Sequence, residues 1–168
     1  MLFARSKGLV GLDIGSSTLK LVELKERKGE FSLVRLGVES LSPEAIVDGS
    51  IMDSSLVVDA IRRLNEATGV KAERFATSLS GHSVIIKNIA LPAMSSEELE
   101  ESIDWHAEEH IPYDLADVSL DYQVTAESAD STNVLIAACK RERIDNIKQA
   151  IQLAGKQPVV IDVDTFAL

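Results

Sequence analysis

The feature that most constrains this chain is Leu9-Val10-Gly11-Leu12-Asp13-Ile14, an almost uninterrupted apolar run followed at once by Gly15-Ser16-Ser17. A short apolar run bounded by a turn signal reads as a buried strand. Thr18 to Lys25 then alternates, with Leu19, Leu21 and Leu24 set against Lys20, Glu23 and Lys25, which is the period of a half-buried strand. After Lys28-Gly29-Glu30, Phe31 to Val38 supplies a third strand. Three strands joined by tight turns make an antiparallel meander. This excludes a fold that opens on a strand-helix-strand crossover at Gly15.

The period next becomes helical. Asp53 is a good N-cap, Val57, Ile61, Leu64 and Thr68 recur at helical spacing, and Gly69 stands where a C-terminal glycine belongs. Phe75 to Leu79 predicts a short strand closing at Ser80-Gly81, and Val84 to Leu91 another that Pro92 stops. Ser95 and Glu98 have capping-box spacing at the head of a helix expected to reach His110. Strands over Val118 to Thr125 and Asn133 to Cys139 follow. A helix over Arg143 to Ala154, with Ile144, Ile147 and Ile151 on one face, ends at Gly155, and Val159 to Val163 is a last buried strand. Asp164-Thr165 reads as the start of a further helix, so the chain is expected to be a fragment of something longer.

Composition excludes several functions. A net charge of −10, with no basic stripe, repels nucleic acid and anionic lipid alike. No apolar run approaches the ~20 residues that span a bilayer, and the one after Lys7 is too short for a signal peptide. The lone Cys139 sits in an aliphatic run and reads as a small buried hydrophobe, which points to the cytoplasm. A chain of 168 residues buries roughly 70% of its unfolded surface, so it needs no disulfide or metal to fold.

Four places carry possible chemistry. The turn from Asp13 to Lys20 is the sharpest: Gly15 permits close approach of a ligand, while Ser16, Ser17 and Thr18 add hydroxyl donors beside successive backbone amides. Asp13 would repel a phosphate unless a Mg²⁺, held through water, stands between them, and Lys20 could set its ammonium on the phosphates. The other reading of the same residues is an ordinary hairpin turn whose polar side chains satisfy local amides. His106 and His110 have the i, i+4 spacing of zinc ligands, but Ala107 replaces the metalloprotease glutamate. Helical projection puts both beside Leu99 and Ile103 on the packing stripe. Trp105 projects among Glu98, Glu101, Glu108 and Glu109, either covered by a neighbouring element or touching a partner. His82 stands alone in a turn-like segment. No nucleophile–His–acid set appears, so no catalytic residue is assigned.

Gly11 to Leu24 resembles the first phosphate motif of the actin superfamily. Trp105 to Tyr113, Leu120 to Val124 and Ala154 to Asp164 are similar to segments of the FtsA/PilM family, in its type IV pilus assembly branch. The resemblance implies an α/β fold: an actin-like (ribonuclease H-like) half-domain with an inserted strand-helix-strand-strand-helix α+β subdomain. Residues 1–83 and 157–168 would form the core and 84–156 the insert. It implies an ATP and Mg²⁺ site at Asp13, Gly15, Ser16, Ser17, Thr18 and Lys20, with Asp13 on the metal through water. A second phosphate motif and the adenosine pocket would lie in the half that follows, so residues 1–168 alone are expected to bind ATP poorly and to be inactive. The partners implied are the cytoplasmic N-terminal peptide of PilN, held in a groove between the core and the insert, and other pilus assembly proteins. The protein would then be cytoplasmic and held at the inner membrane by its partner, without inserting itself. The alternatives in the same superfamily are a sugar or acetate kinase and an FtsA-like division protein. The Trp105-to-Tyr113 segment favours pilus assembly over both.

Overall fold

The computed structural model describes residues 8–79 and 84–167. The expectations placed on Ser80, Gly81, His82 and Ser83 lie outside them. The described residues fall into two compact units, one drawn from 1–81 with 144–168 and the other from 82–143.

The first unit is built on a five-stranded sheet. Its strands are β1 (Leu9–Ile14), β2 (Thr18–Arg27), β3 (Glu30–Ser40), β6 (Arg74–Leu79) and β10 (Gln157–Val163), in the order β10-β6-β1-β2-β3. β1, β2 and β3 form the antiparallel meander, while β6 and β10 run parallel to β1. Two-residue strands β4 (Ile46–Val47) and β5 (Ser50–Ile51) form a small hairpin before α1 (Ser54–Thr68). They are too short for periodicity to register. Asp53 caps α1 by accepting from the amides of Ser55 and Leu56, and Gly69 ends it in the left-handed conformation at φ 63°.

Both long connections, β1 through α1 to β6 and β6 through α3 (Arg141–Leu153) to β10, step in one direction along the sheet. Right-handed crossovers therefore put α1 and α3 on the same face. A hydrogen bond of 2.7 Å from Arg62 Nη2 of α1 to the Leu153 carbonyl of α3 fits that placement. Val10, Leu12, Leu19, Leu21, Phe75, Thr77, Leu79 and Val163 point to this face and are buried there. Gly37 on β3 is held to glycine by α1: a Cβ there would stand 2.8 Å from Leu64 Cδ1 and collide with Thr68 Cγ2. At the same edge Arg35 donates to Glu23 at 2.6 Å and to the Thr68 carbonyl at 3.1 Å.

The second unit is a three-stranded antiparallel sheet, β7 (Val84–Pro92), β9 (Ser131–Lys140) and β8 (Val118–Glu127), with β9 central. Pro92 closes β7 on an edge strand, where a missing amide is tolerated. α2 (Ser96–Glu108) lays Leu99, Ile103 and Ala107 on one sheet face, against Ile89, Leu91, Val118, Val134, Ile136 and Ala138. The capping box is present: Glu98 N donates to Ser95 Oγ at 3.2 Å, and Ser95 N donates to Glu98 Oε2 at 2.8 Å. The helix ends two residues earlier than periodicity predicts. The amides of His110 and Ile111 both bond to the Ala107 carbonyl, closing the helix in a turn before Pro112. From Ile144 onward, α3 belongs to the first unit, although its place in the chain suggested the second.

Candidate functional site

The β1–β2 hairpin brings Asp13, Gly15, Ser16, Ser17, Thr18 and Lys20 together at one end of the five-stranded sheet. Cross-strand register sets Asp13 opposite Lys20 and Ile14 opposite Leu19. The buried Leu12, Leu19 and Leu21 fix that register, because a one-residue slip would turn all three to the other face. Lys20 Nζ donates to Asp13 Oδ2 at 2.7 Å, with about half of each side chain exposed. The Gly15 amide donates to the Thr18 carbonyl at 3.1 Å, and a Cβ at Gly15 would stand 3.0 Å from that oxygen. The Leu41 amide donates to the Ser17 carbonyl at 2.8 Å, tying the turn to the end of β3.

The Gly15 amide and the Asp13–Lys20 pair close the hairpin on itself. Ser16 and Ser17 are exposed, and their amides pair with no acceptor among the described residues. A ligand can be met by those two amides, by the hydroxyls beside them, and by an ammonium and a carboxylate lying side by side. A cation held by Asp13 through water would release Lys20 to an anion.

In open α/β sheets ligands bind at the carboxyl ends of the parallel strands. β1, β6 and β10 all end here, at Ile14, Leu79 and Val163. Leu12 and Ile161 both lie opposite Thr77, so Asp13, Ser78 and Asp162 come next, side by side on the opposite face. Asp162 Oδ1 accepts from the Val163 amide at 2.7 Å. Sequence reading missed Ser78 and Asp162, which are 65 and more positions from Asp13 in the chain and meet it only through strand register.

The other candidates separate. Trp105 is 63% exposed, its ring in edge contact with His106 at 4.8 Å between centroids. Of the two histidines, His106 is half-buried, while His110 lies exposed in the turn after α2 and not on the packing stripe. No group of three or more His, Cys, Asp or Glu able to hold a metal exists among the described residues. Cys139 is buried, and that burial pushes its thiol up, against a smaller lowering by Arg143. No described helix is long and apolar enough to cross a membrane.

The chain is similar to cell division protein FtsA of Streptococcus pneumoniae, 29% identical over 83 residues, which cover 47% of this chain and 18% of that protein. Its fold is similar to the cytoplasmic domain of EpsL, an inner-membrane component of the type II secretion system of Vibrio cholerae. There the TM-score is 0.64 at 12% identity, over 96% of this chain and 59% of that one. A solved chain of a PilM-PilN type IV pilus biogenesis complex is 30% identical with a TM-score of 0.84, over 95% of this chain and 48% of that one. This chain thus spans about half the length of that relative and has the fold of the N-terminal half of an actin-like protein. Residues 11–168 match the family described as type IV pilus assembly protein PilM, and the chain belongs to that family.

Proposed function

We propose that this chain is the N-terminal half of an ATP-binding, actin-like scaffold in the inner-membrane platform that assembles type IV pili. In this reading it takes the cytoplasmic N-terminal tail of PilN as its peptide ligand. The observation that carries the proposal is the likeness, at 30% identity and TM-score 0.84 over 95% of the chain, to a PilM solved as a PilM-PilN complex. The protein is then cytoplasmic and reaches the inner membrane through its partner. In this reading residues 1–81 with 144–168 serve as the core and 82–143 as the insert.

The Asp13 hairpin supports the nucleotide part of this reading. It sits at the carboxyl ends of three parallel strands, with exposed Ser16 and Ser17 at its tip. In the full-length protein Ser16, Ser17 and Thr18 would hold phosphate oxygens beside Gly15, and Lys20 would add a point charge. Asp13 would hold Mg²⁺ through water, where the ion neutralises phosphate charge. Titrating a fluorescent PilN-tail peptide into the full-length protein tests the partner: saturable binding is expected, and its absence from folded protein overturns the reading.

A further inference from the structure

The net charge of −10 is not spread over the molecule. Residues 82–143 hold 13 Asp and Glu against 4 Lys and Arg, a net charge of −9, while the rest of the chain holds 14 against 13. Within this second unit the acids gather on α2, which carries no Lys or Arg. Leu99, Ile103 and Ala107 take its packed side. Glu97, Glu101, Asp104, Trp105 and Glu108 project from the other side, and all five are exposed.

Helix energetics accounts for only part of this stripe. Glu97 and Glu98 stand in the first turn, where the macrodipole favours an anion. Glu108 and the C-cap residue Glu109 stand at the other end, where it favours a cation. Glu97 with Glu101, and Asp104 with Glu108, repel at i, i+4. None of these carboxylates has an ion-pair partner among the described residues. The stripe thus weakens the helix that carries it, and an opposite charge brought from outside would relieve the repulsion. Trp105 stands in its middle, with Glu101 and Glu108 at i−4 and i+3. Its ring is 63% exposed and steadied by the edge contact with His106. A large, positioned, exposed indole is the kind of residue that anchors an interface.

Charge selects the occupant. Nucleic acid and anionic lipid are repelled, and a second copy brings the same net charge of −10. A basic segment of another protein is attracted. Arginine fits this surface better than lysine, because a guanidinium stacks on an indole while its fork of donors pairs with carboxylates beside the ring. We propose that the outward face of α2 docks an arginine-bearing segment of another protein, with one guanidinium on Trp105 and paired with Glu101 or Glu108. The proposal goes beyond the function given above and depends neither on nucleotide nor on the PilN tail.

The test titrates full-length protein into a fluorescein-labelled peptide of alternating alanine and arginine and reads anisotropy. Saturable binding is expected, weakened about tenfold by Glu101→Gln with Glu108→Gln and about fivefold by Trp105→Ala. Glu127→Gln with Asp130→Asn removes the same two charges from the β8–β9 turn of the same unit, and should leave affinity within about twofold of the parent. Absence of saturable binding overturns the proposal. An equal loss in the two double variants also overturns it, since the attraction would then belong to the unit's overall charge, and so does unchanged affinity on Trp105→Ala. Should circular dichroism show Trp105→Ala misfolded, Trp105→Leu, which keeps an apolar side chain without a ring, decides in its place. Sedimentation of the parent without peptide covers the remaining occupant: a dimer that Trp105→Ala dissociates would assign the face to a second copy and overturn the proposal.

Discussion

Asp13→Ala separates a structural role of the hairpin from a ligand-binding one. In the structure the only side-chain partner of Asp13 among the described residues is Lys20, at 2.7 Å, with side chains 52% and 57% exposed. Two unit charges at that distance in water attract by about 1.5 kcal/mol, and ordering two long side chains offsets most of it. Such exposed pairs are worth about 0.5 kcal/mol in stability and rarely more than about 1. For a chain of this size that shifts the melting temperature by less than about 4 °C. The register is held instead by Leu12, Leu19 and Leu21, which the substitution leaves in place. Loss of a charged contact to a bound Mg²⁺–ATP removes about 1.5–3 kcal/mol of binding, a 10- to 100-fold drop in affinity. Calorimetric titration of Mg²⁺–ATP into the full-length protein, paired with a thermal melt, reads both quantities. A variant that binds ATP as tightly as the parent refutes the assignment of Asp13. A melting temperature lower by much more than 4 °C refutes the argument that the pair is structurally dispensable.

Further expectations follow from the packing. Gly37→Ala should destabilise the protein by about 1–3 kcal/mol in urea titration, because Thr68 Oγ1 is bonded to the Leu64 carbonyl at 2.7 Å and holds the obstructing methyl in place. Adding Thr68→Ser, which removes that methyl, should recover part of the loss, and no recovery would refute the steric account. Ser95→Ala removes half of the capping box and should cost about 1 kcal/mol, seen as a lower urea midpoint with an unchanged slope. The Asp53 carboxyl is held below its ordinary value of 3.8 by the Ser55 hydroxyl and the Leu56 amide. Since the folded form binds its proton less readily, its contribution is present above pH 3.8 and lost as pH falls through the depressed folded value. Acid melts of Asp53→Asn should therefore fall less steeply than the parent below that pH. Cys139, buried and with its thiol raised, should react with a maleimide at pH 8 only after denaturant is added.

Local rules carried much of this fold. The Leu9–Ile14 run, the Gly15-Ser16-Ser17 turn and the alternation through Leu19 and Leu21 determine a hairpin with the Asp13 cluster at its tip, because register follows from which residues seek the core. Asp53, Gly69, Ser95 with Glu98, and Gly155 fixed helix ends, since capping satisfies amides and carbonyls within a few residues of chain. The resemblance in Gly11 to Leu24 and Trp105 to Tyr113 identified the family by the same local means.

Tertiary structure alone decided three things. α3 follows β9 in the chain, a position that groups it with the insert, yet from Ile144 it belongs to the first unit, where Leu153 meets Arg62 of α1. An amphipathic helix shows that it has an apolar face, not which sheet that face will find. Asp162 and Ser78 join Asp13 only through parallel register, which brings together residues that no short-range pattern connects. Phe31 to Val38 reads as a third strand with no face assigned to its apolar residues; the crossovers put both helices on one side and leave Phe31, Leu33, Leu36 and Val38 exposed on the other. Hydrophobicity states that a side chain seeks cover; only the handedness of the connections decides which face receives it.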